Sequence, residues 1–100
     1  MKVRLVQSGG IVGIVKACEL DSAILTPDVA AELERLVRGS GISVSGAFLS
    51  DTGRDLHQYE IMIEYEDHTI SVIFDDASIP PTAKPMLGFL KKQARPQPPG

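Results

Sequence analysis

Few residues in this chain could carry chemistry. They are His57 and His68, Cys18, the adjacent pair Asp75-Asp76, and the glycine pair in Ser8-Gly9-Gly10. A histidine beside a carboxylate can serve as a general base held by its orienter. His57 falls opposite Asp76 if the strands around them pair as described below. No serine or cysteine nucleophile sits at a readable spacing beside that pair, so a satisfied cross-strand contact at a sheet end is the favoured reading. His68 falls at a hairpin turn, in solvent. Adjacent aspartates on a strand point to opposite faces, and a calcium or magnesium site needs more oxygens than they offer. Accepting backbone N–H bonds in the turn after the strand suits them better. Ser8-Gly9-Gly10 could cradle an anion, but no helix start follows it, and a tight turn is the simpler role. Cys18 is flanked by no basic residue that would lower its pKa. The chain has no H-E-x-x-H, C-x-x-C, G-x-S-x-G or phosphate-loop motif. The expectation is a protein that is not an enzyme, with no metal and no cofactor.

These residues need elements to hold them. Val3, Leu5 and Gln7 alternate with Lys2, Arg4 and Val6, which predicts a strand. Ser8-Gly9-Gly10 interrupts it, and the β-branched run 11–18 predicts a second strand. Two strands joined by a Gly-Gly turn make a hairpin. Thr26-Pro27-Asp28 predicts a helix start, with Thr26 as cap and Pro27 in the first turn. Val29, Ala30, Leu33, Leu36 and Val37 form its apolar stripe. Glu34 and Arg38 are spaced to pair on its outer side. Gly39-Ser40-Gly41 ends it.

Residues 42–55 read as a long connection, in which Ile42 and Val44 could make a short strand. The segment 57–76 reads as a second hairpin. Pairing Tyr59 with Phe74, Ile61 with Val72 and Ile63 with Ile70 makes one face apolar. The other face then carries Glu60, Met62 and Glu64 against Ile73, Ser71 and Thr69. A slip of one residue would scramble this segregation, so the pattern sets the register. Glu66-Asp67 suits a two-residue turn poorly, and a four-residue loop keeps the same register. Pro85 is acceptable only in a first helical turn. Met86, Leu87, Phe89 and Leu90 then predict a final short helix. The fold class is α+β, an antiparallel sheet of about four strands with two helices packed on one face.

A chain of 100 residues makes one domain. Residues 1–93 are assigned to it, and 94–100 read as a flexible proline-rich tail. A net charge of −3 points away from nucleic acid. No apolar run is long enough to cross a membrane. The N-terminus has no signal-peptide pattern, so the expected location is cytoplasmic. A lone cysteine fits that setting.

Three segments together resemble a known family. They are Ser8-Gly9-Gly10-Ile11-Val12-Gly13-Ile14, Asp55 with Gln58-Tyr59-Glu60-Ile61, and His68-Thr69-Ile70-Ser71-Val72-Ile73-Phe74-Asp75-Asp76 followed by Pro80. In this order they are similar to the protealysin-inhibitor (emfourin) family, small proteins that inhibit thermolysin-like zinc metallopeptidases. The resemblance spans most of residues 2–91. Ile11 departs from it, since an aromatic residue is expected after Gly10, and the loop before Asp55 has its own spacing.

The resemblance implies a peptidase partner and inhibition by occupying the substrate cleft, with a strand edge or a protruding loop. Such enzymes take a large apolar residue just after the scissile bond. Gly10-Ile11 and Ala47-Phe48 both offer that pattern. The candidate contacts are therefore Ser8, Gly9, Gly10, Ile11, Phe48 and Leu49, with Asp55, Tyr59, Asp75 and Asp76 as structural motif residues. The bland alternative places Ile11 and Phe48 in the core. A different function class stays open beside inhibition: a non-catalytic interaction module, homodimeric through a free sheet edge.

Overall fold

The computed structural model describes residues 1–9, 13–50 and 56–96. Strand β1 covers Lys2–Gly9 and β2 covers Lys16–Asp21. Helix α1 covers Pro27–Gly39, and β3 is the short strand Gly46–Phe48. Strands β4, His57–Glu64, and β5, Thr69–Asp75, form the second hairpin. A 3-10 turn at Pro81–Ala83 leads into α2, Lys84–Gln93, and β6 is Arg95–Pro96. The described strands make one sheet in the order β3-β5-β4-β1-β2-β6.

The β4–β5 register is the one that the alternation demands. Tyr59 faces Phe74, Ile61 faces Val72, and Ile63 faces Ile70. Strand β1 joins on the other side of β4, placing Leu5 against Ile61 and Val3 against Ile63. Side chains alternate along a strand, so these residues share one face, and all of them are buried. Leu33, Leu36 and Val37 of α1 and Met86, Leu87 and Leu90 of α2 belong to the same apolar cluster. Both helices therefore cover that one face. Glu60 is exposed on the other, where Lys2 bridges Glu19 at 3.3 Å and Glu64 at 3.9 Å.

The sheet departs from four antiparallel strands in two ways. Among the described residues there are six strands, and β3 runs parallel to β5. The reason is the path of α1, which carries the chain from β2 near one edge to β3 at the opposite edge. A strand arriving that way can take either direction. The short strand expected near Ile42 and Val44 forms instead at Gly46–Phe48. Strand β6 extends the other edge by pairing with Lys16 and Ala17. Ala94 is buried with the core residues, so the packed domain extends past residue 93. Both edge strands are very short, and Pro96 cannot donate a ladder bond, which blunts that edge.

The first hairpin is also different. Gly9 lies in β1 opposite His57, and β2 starts only at Lys16. The second strand thus begins at Lys16 and not within 11–15, and Ile14 and Val15, just before it, are exposed; Gly10 of the expected Gly-Gly turn lies outside the described residues. Gly9 is required where it stands. Its φ is +83°, and a Cβ there would meet the Leu56 carbonyl oxygen at 2.9 Å.

In the second hairpin, no described non-glycine residue has positive φ. Glu66-Asp67 therefore do not form the left-handed two-residue turn. Tyr65 N–H donates to His68 O at 2.8 Å and closes the loop. His68 is exposed, as expected, and stacks on Tyr65 with centroids 4.7 Å apart.

Helix α1 starts at Pro27 without a side-chain cap from Thr26. Its surface ion pair is Glu32–Arg35 at 2.6 Å. Its C-terminus is closed by Ser40, which donates from Oγ to Val37 O at 2.6 Å and accepts from Ile42 N–H.

Candidate functional site

One row of paired residues crosses the whole sheet: Phe48, Phe74, Tyr59, Gln7, Lys16, Pro96. Beyond this row lie Leu49 and Ser50, Asp75 and Asp76, His57, and Ser8 and Gly9. The described candidate residues from separate parts of the sequence therefore meet at one end of the sheet. Gly10, Ile11 and Asp55 lie outside the described residues.

Two adjacent carboxylates organise this end. Asp75 is 1% exposed. Its Oδ2 accepts both the N–H and the Oγ–H of Ser50, each at 2.7 Å. Its Oδ1 accepts Ala77 N–H and Ser78 N–H, each at 2.9 Å. These donors favour the ionised form. The Ser50 N–H is the strongest of them, and together they outweigh burial and hold Asp75 down to about 2. The role expected from sequence, a carboxylate accepting backbone N–H bonds after the strand, belongs to Asp75.

Asp76 holds the neighbouring strand. Its Oδ2 accepts His57 N–H at 2.9 Å, and its Oδ1 accepts the Tyr59 hydroxyl at 2.6 Å. Burial works against its charge, but these two bonds and the nearby His57 ring prevail and keep its pKa below the usual carboxylate value. Tyr59 shifts the other way. Burial of its ring and the bond to the Asp76 carboxylate push the phenol well above its ordinary value. Lys91 Nζ lies 5.4 Å from the centre of the same ring.

His57 does face Asp76, with Nδ1 3.4 Å from Oδ2. Both Asp76 oxygens are already engaged, one by Tyr59 and one by the His57 backbone. The pair is a strand-end fastening. A general-base arrangement would also need a nucleophile against the ring. Cys18 is half-buried, and its thiol contacts Leu90 O at 3.4 Å. Burial raises its pKa, with only partial offset from a backbone bond to Leu5, so it stays a thiol at neutral pH. Among the described residues, no group of three His, Cys, Asp or Glu is placed to hold a metal ion. No described helix is long and apolar enough to cross a membrane.

Phe48 is not a core residue. It is 43% exposed and Leu49 is 45% exposed. The Phe48 ring stacks on Phe74 at 5.4 Å and folds back across Gly46, where a Cβ would sit 2.9 Å from its Cζ. An open apolar groove of about 230 Å³ lies beside it, with Ile42, Val44, Phe48, Val72, Phe74 and Pro80 in its wall. The segment is fastened at both ends. Ser71 N–H donates to Ser45 Oγ at 2.9 Å, and Ser50 is held by Asp75.

A protein-family model, Emfourin, matches residues 5–91 of this chain. The chain belongs to the Emfourin family. Neither the curated proteins nor the solved structures yield a match. In this Emfourin-family chain the matched span runs from β1 to α2 and includes every candidate site residue. Sequence reasoning missed the serines. Ser45 and Ser50 carry no motif of their own, and their partners on β5 are 26 and 25 residues away.

Proposed function

We propose that this chain is a protein inhibitor of thermolysin-like zinc metallopeptidases, acting by occupying the substrate cleft. Family membership supports the class. The observation that supports the mechanism is that Ser8-Gly9 and Phe48-Leu49 lie at the same end of the sheet, with β5 and β4 between them. A single approach of that end to a peptidase can engage both connections. Phe48, on the edge strand, and Leu49, just after it, offer exposed apolar side chains in an extended segment, the form in which such enzymes accept substrate. Gly10 and Ile11 follow directly from Gly9 in the sequence. The inhibitor is not an enzyme and needs no cofactor; the zinc of the complex belongs to the peptidase. The half-buried thiol of Cys18 supports a cytoplasmic setting.

The test is titration of thermolysin with the purified protein, using a short peptide substrate. Stoichiometric loss of cleavage is expected, and added zinc should not relieve it. Phe48→Asp should abolish inhibition, because a charge would enter an apolar pocket. Ile24→Asp is the control. Ile24 is 82% exposed but lies past Asp21, at the opposite end of the sheet, and its substitution should leave inhibition intact. Ile11→Asp reports on the other connection. Full inhibition by folded Phe48→Asp with loss in Ile11→Asp would move the contact to the β1–β2 connection.

A second reading has its own observation. Strand β3 is the terminal strand of the sheet, and all three of its residues are exposed. An interaction module that dimerises through this edge would sediment as a dimer and leave thermolysin active.

A further inference from the structure

We propose that Asp75 is the positioning residue of this inhibitor: its buried carboxylate fastens Ser50 and so fixes Phe48 and Leu49 in the pose that meets the peptidase. This rests on the inhibitor reading above.

The two carboxylate oxygens do different work. Oδ1 closes the local turn through Ala77 and Ser78. Oδ2 makes no local bond of that kind and reaches Ser50 twice, across 25 residues of sequence. Strand β3 has only three residues, too few to hold its own geometry by ladder bonds. Its order comes from fastenings outside it. Ser45 holds the start to Ser71, the Phe48 ring rests on Phe74, and Asp75 holds the end at Ser50. A segment ordered before it binds forfeits little further entropy on binding. Fastening therefore acts on affinity directly, and the site of fastening is separable from the contacting side chains.

The separation is testable with Asp75→Asn. An asparagine keeps one oxygen for Ala77 and Ser78 but turns an NH₂ group toward the Ser50 N–H, two donors facing each other. Two readouts are taken on the same samples: hydrogen exchange at the Ser50 and Ser78 amides, and inhibition of thermolysin. The expected result is at least tenfold faster exchange at Ser50, retained protection at Ser78, and at least tenfold weaker inhibition. Ser50→Ala, which keeps the N–H and loses the hydroxyl, should weaken inhibition less. Ser50→Thr, which keeps both donors, should inhibit as the wild type does. These serine variants carry the test if Asp75→Asn does not fold. Wild-type inhibition that persists unchanged in Asp75→Asn with Ser50 freed overturns the positioning role alone. Continued Ser50 protection in Asp75→Asn overturns the fastening. Failure of the wild-type chain to inhibit thermolysin overturns the inhibitor reading and this proposal with it.

Discussion

The hydroxyl of Tyr59 donates to Oδ1 of Asp76 at 2.6 Å, joining a core ring that is 2% exposed to a carboxylate on the surface. The same carboxylate holds the first backbone N–H of β4. Tyr59→Phe should therefore cost about 1 kcal/mol, the usual worth of one such bond, since the ring stays buried and only the hydroxyl is lost. Urea unfolding at neutral pH measures it. The sign of the pH dependence follows from the lowered pKa of Asp76. A depressed carboxylate stabilises the fold above its unfolded pKa of about 4 and loses that contribution as pH falls through the folded value. The gap between wild type and Tyr59→Phe should narrow in acid. A gap that stays constant down to pH 2 would mean that the carboxylate is not the acceptor that matters. On the alkaline side, the raised phenol pKa stabilises the fold below about pH 10, and that contribution is lost as pH rises further.

Asp75 makes a second, separable acid transition. Its folded pKa of about 2 lies below the unfolded value of 3.8. Its contribution is present above the unfolded value and disappears as pH falls from about 4 toward 2. Asp75→Asn should flatten the stability profile across that window while lowering stability at pH 7. The check is a series of urea midpoints taken at half-unit steps. A profile with unchanged slope in Asp75→Asn would place the acid sensitivity elsewhere.

The parts legible in the sequence were those with a two-residue period and enough length to express it. In β4 and β5, Tyr59, Ile61 and Ile63 must meet Phe74, Val72 and Ile70, because any slip would put Glu60 and Glu64 in the core. In the first hairpin the glycine pair misled. Gly9 has the positive φ of a turn residue, but it stands at a strand end against Leu56, and the apolar run after it is partly loop. Strand β3 was not legible at all. Three exposed residues carry no alternation, and a parallel neighbour leaves no hairpin signature. The site followed the same division. Asp75 announced itself as the acceptor for the turn after β5, whereas the donors to Asp76 lie across the hairpin on β4. The identity of the donor Ser50 depends on how α1 returns the chain to the far edge, which no local pattern encodes.

The core should respond in proportion to that register. Ile61 sits at the centre of the sheet between Leu5 and Val72 and is 1% exposed. Ile61→Ala should cost about 2–5 kcal/mol, the range for removing a buried aliphatic side chain. Glu60, its neighbour, is exposed on the opposite face. Glu60→Ala should change stability by no more than about 0.5 kcal/mol. Thermal melts of the two variants suffice, and similar losses in both would contradict the facing of β4.

Gly9 and Gly13 make a matched pair that separates strain from steric collision. Both have positive φ, +83° and +71°. An L side chain in that region costs about 1–2 kcal/mol whatever surrounds it. The surroundings differ. A Cβ on Gly9 would lie 2.9 Å from the Leu56 carbonyl oxygen, whereas a Cβ on Gly13 meets nothing within 4 Å. Backbone at that distance cannot swing aside as a flexible side chain would. Gly13→Ala should therefore show the strain alone, and Gly9→Ala should lose more. It should also loosen the end of β1 against His57, speeding exchange of the His57 amide relative to wild type. The measurement is the difference in urea midpoint between the two alanine variants. Equal losses would show that β1 and β4 separate at no cost at this end, so that Gly9 is kept for its φ and not for the close approach.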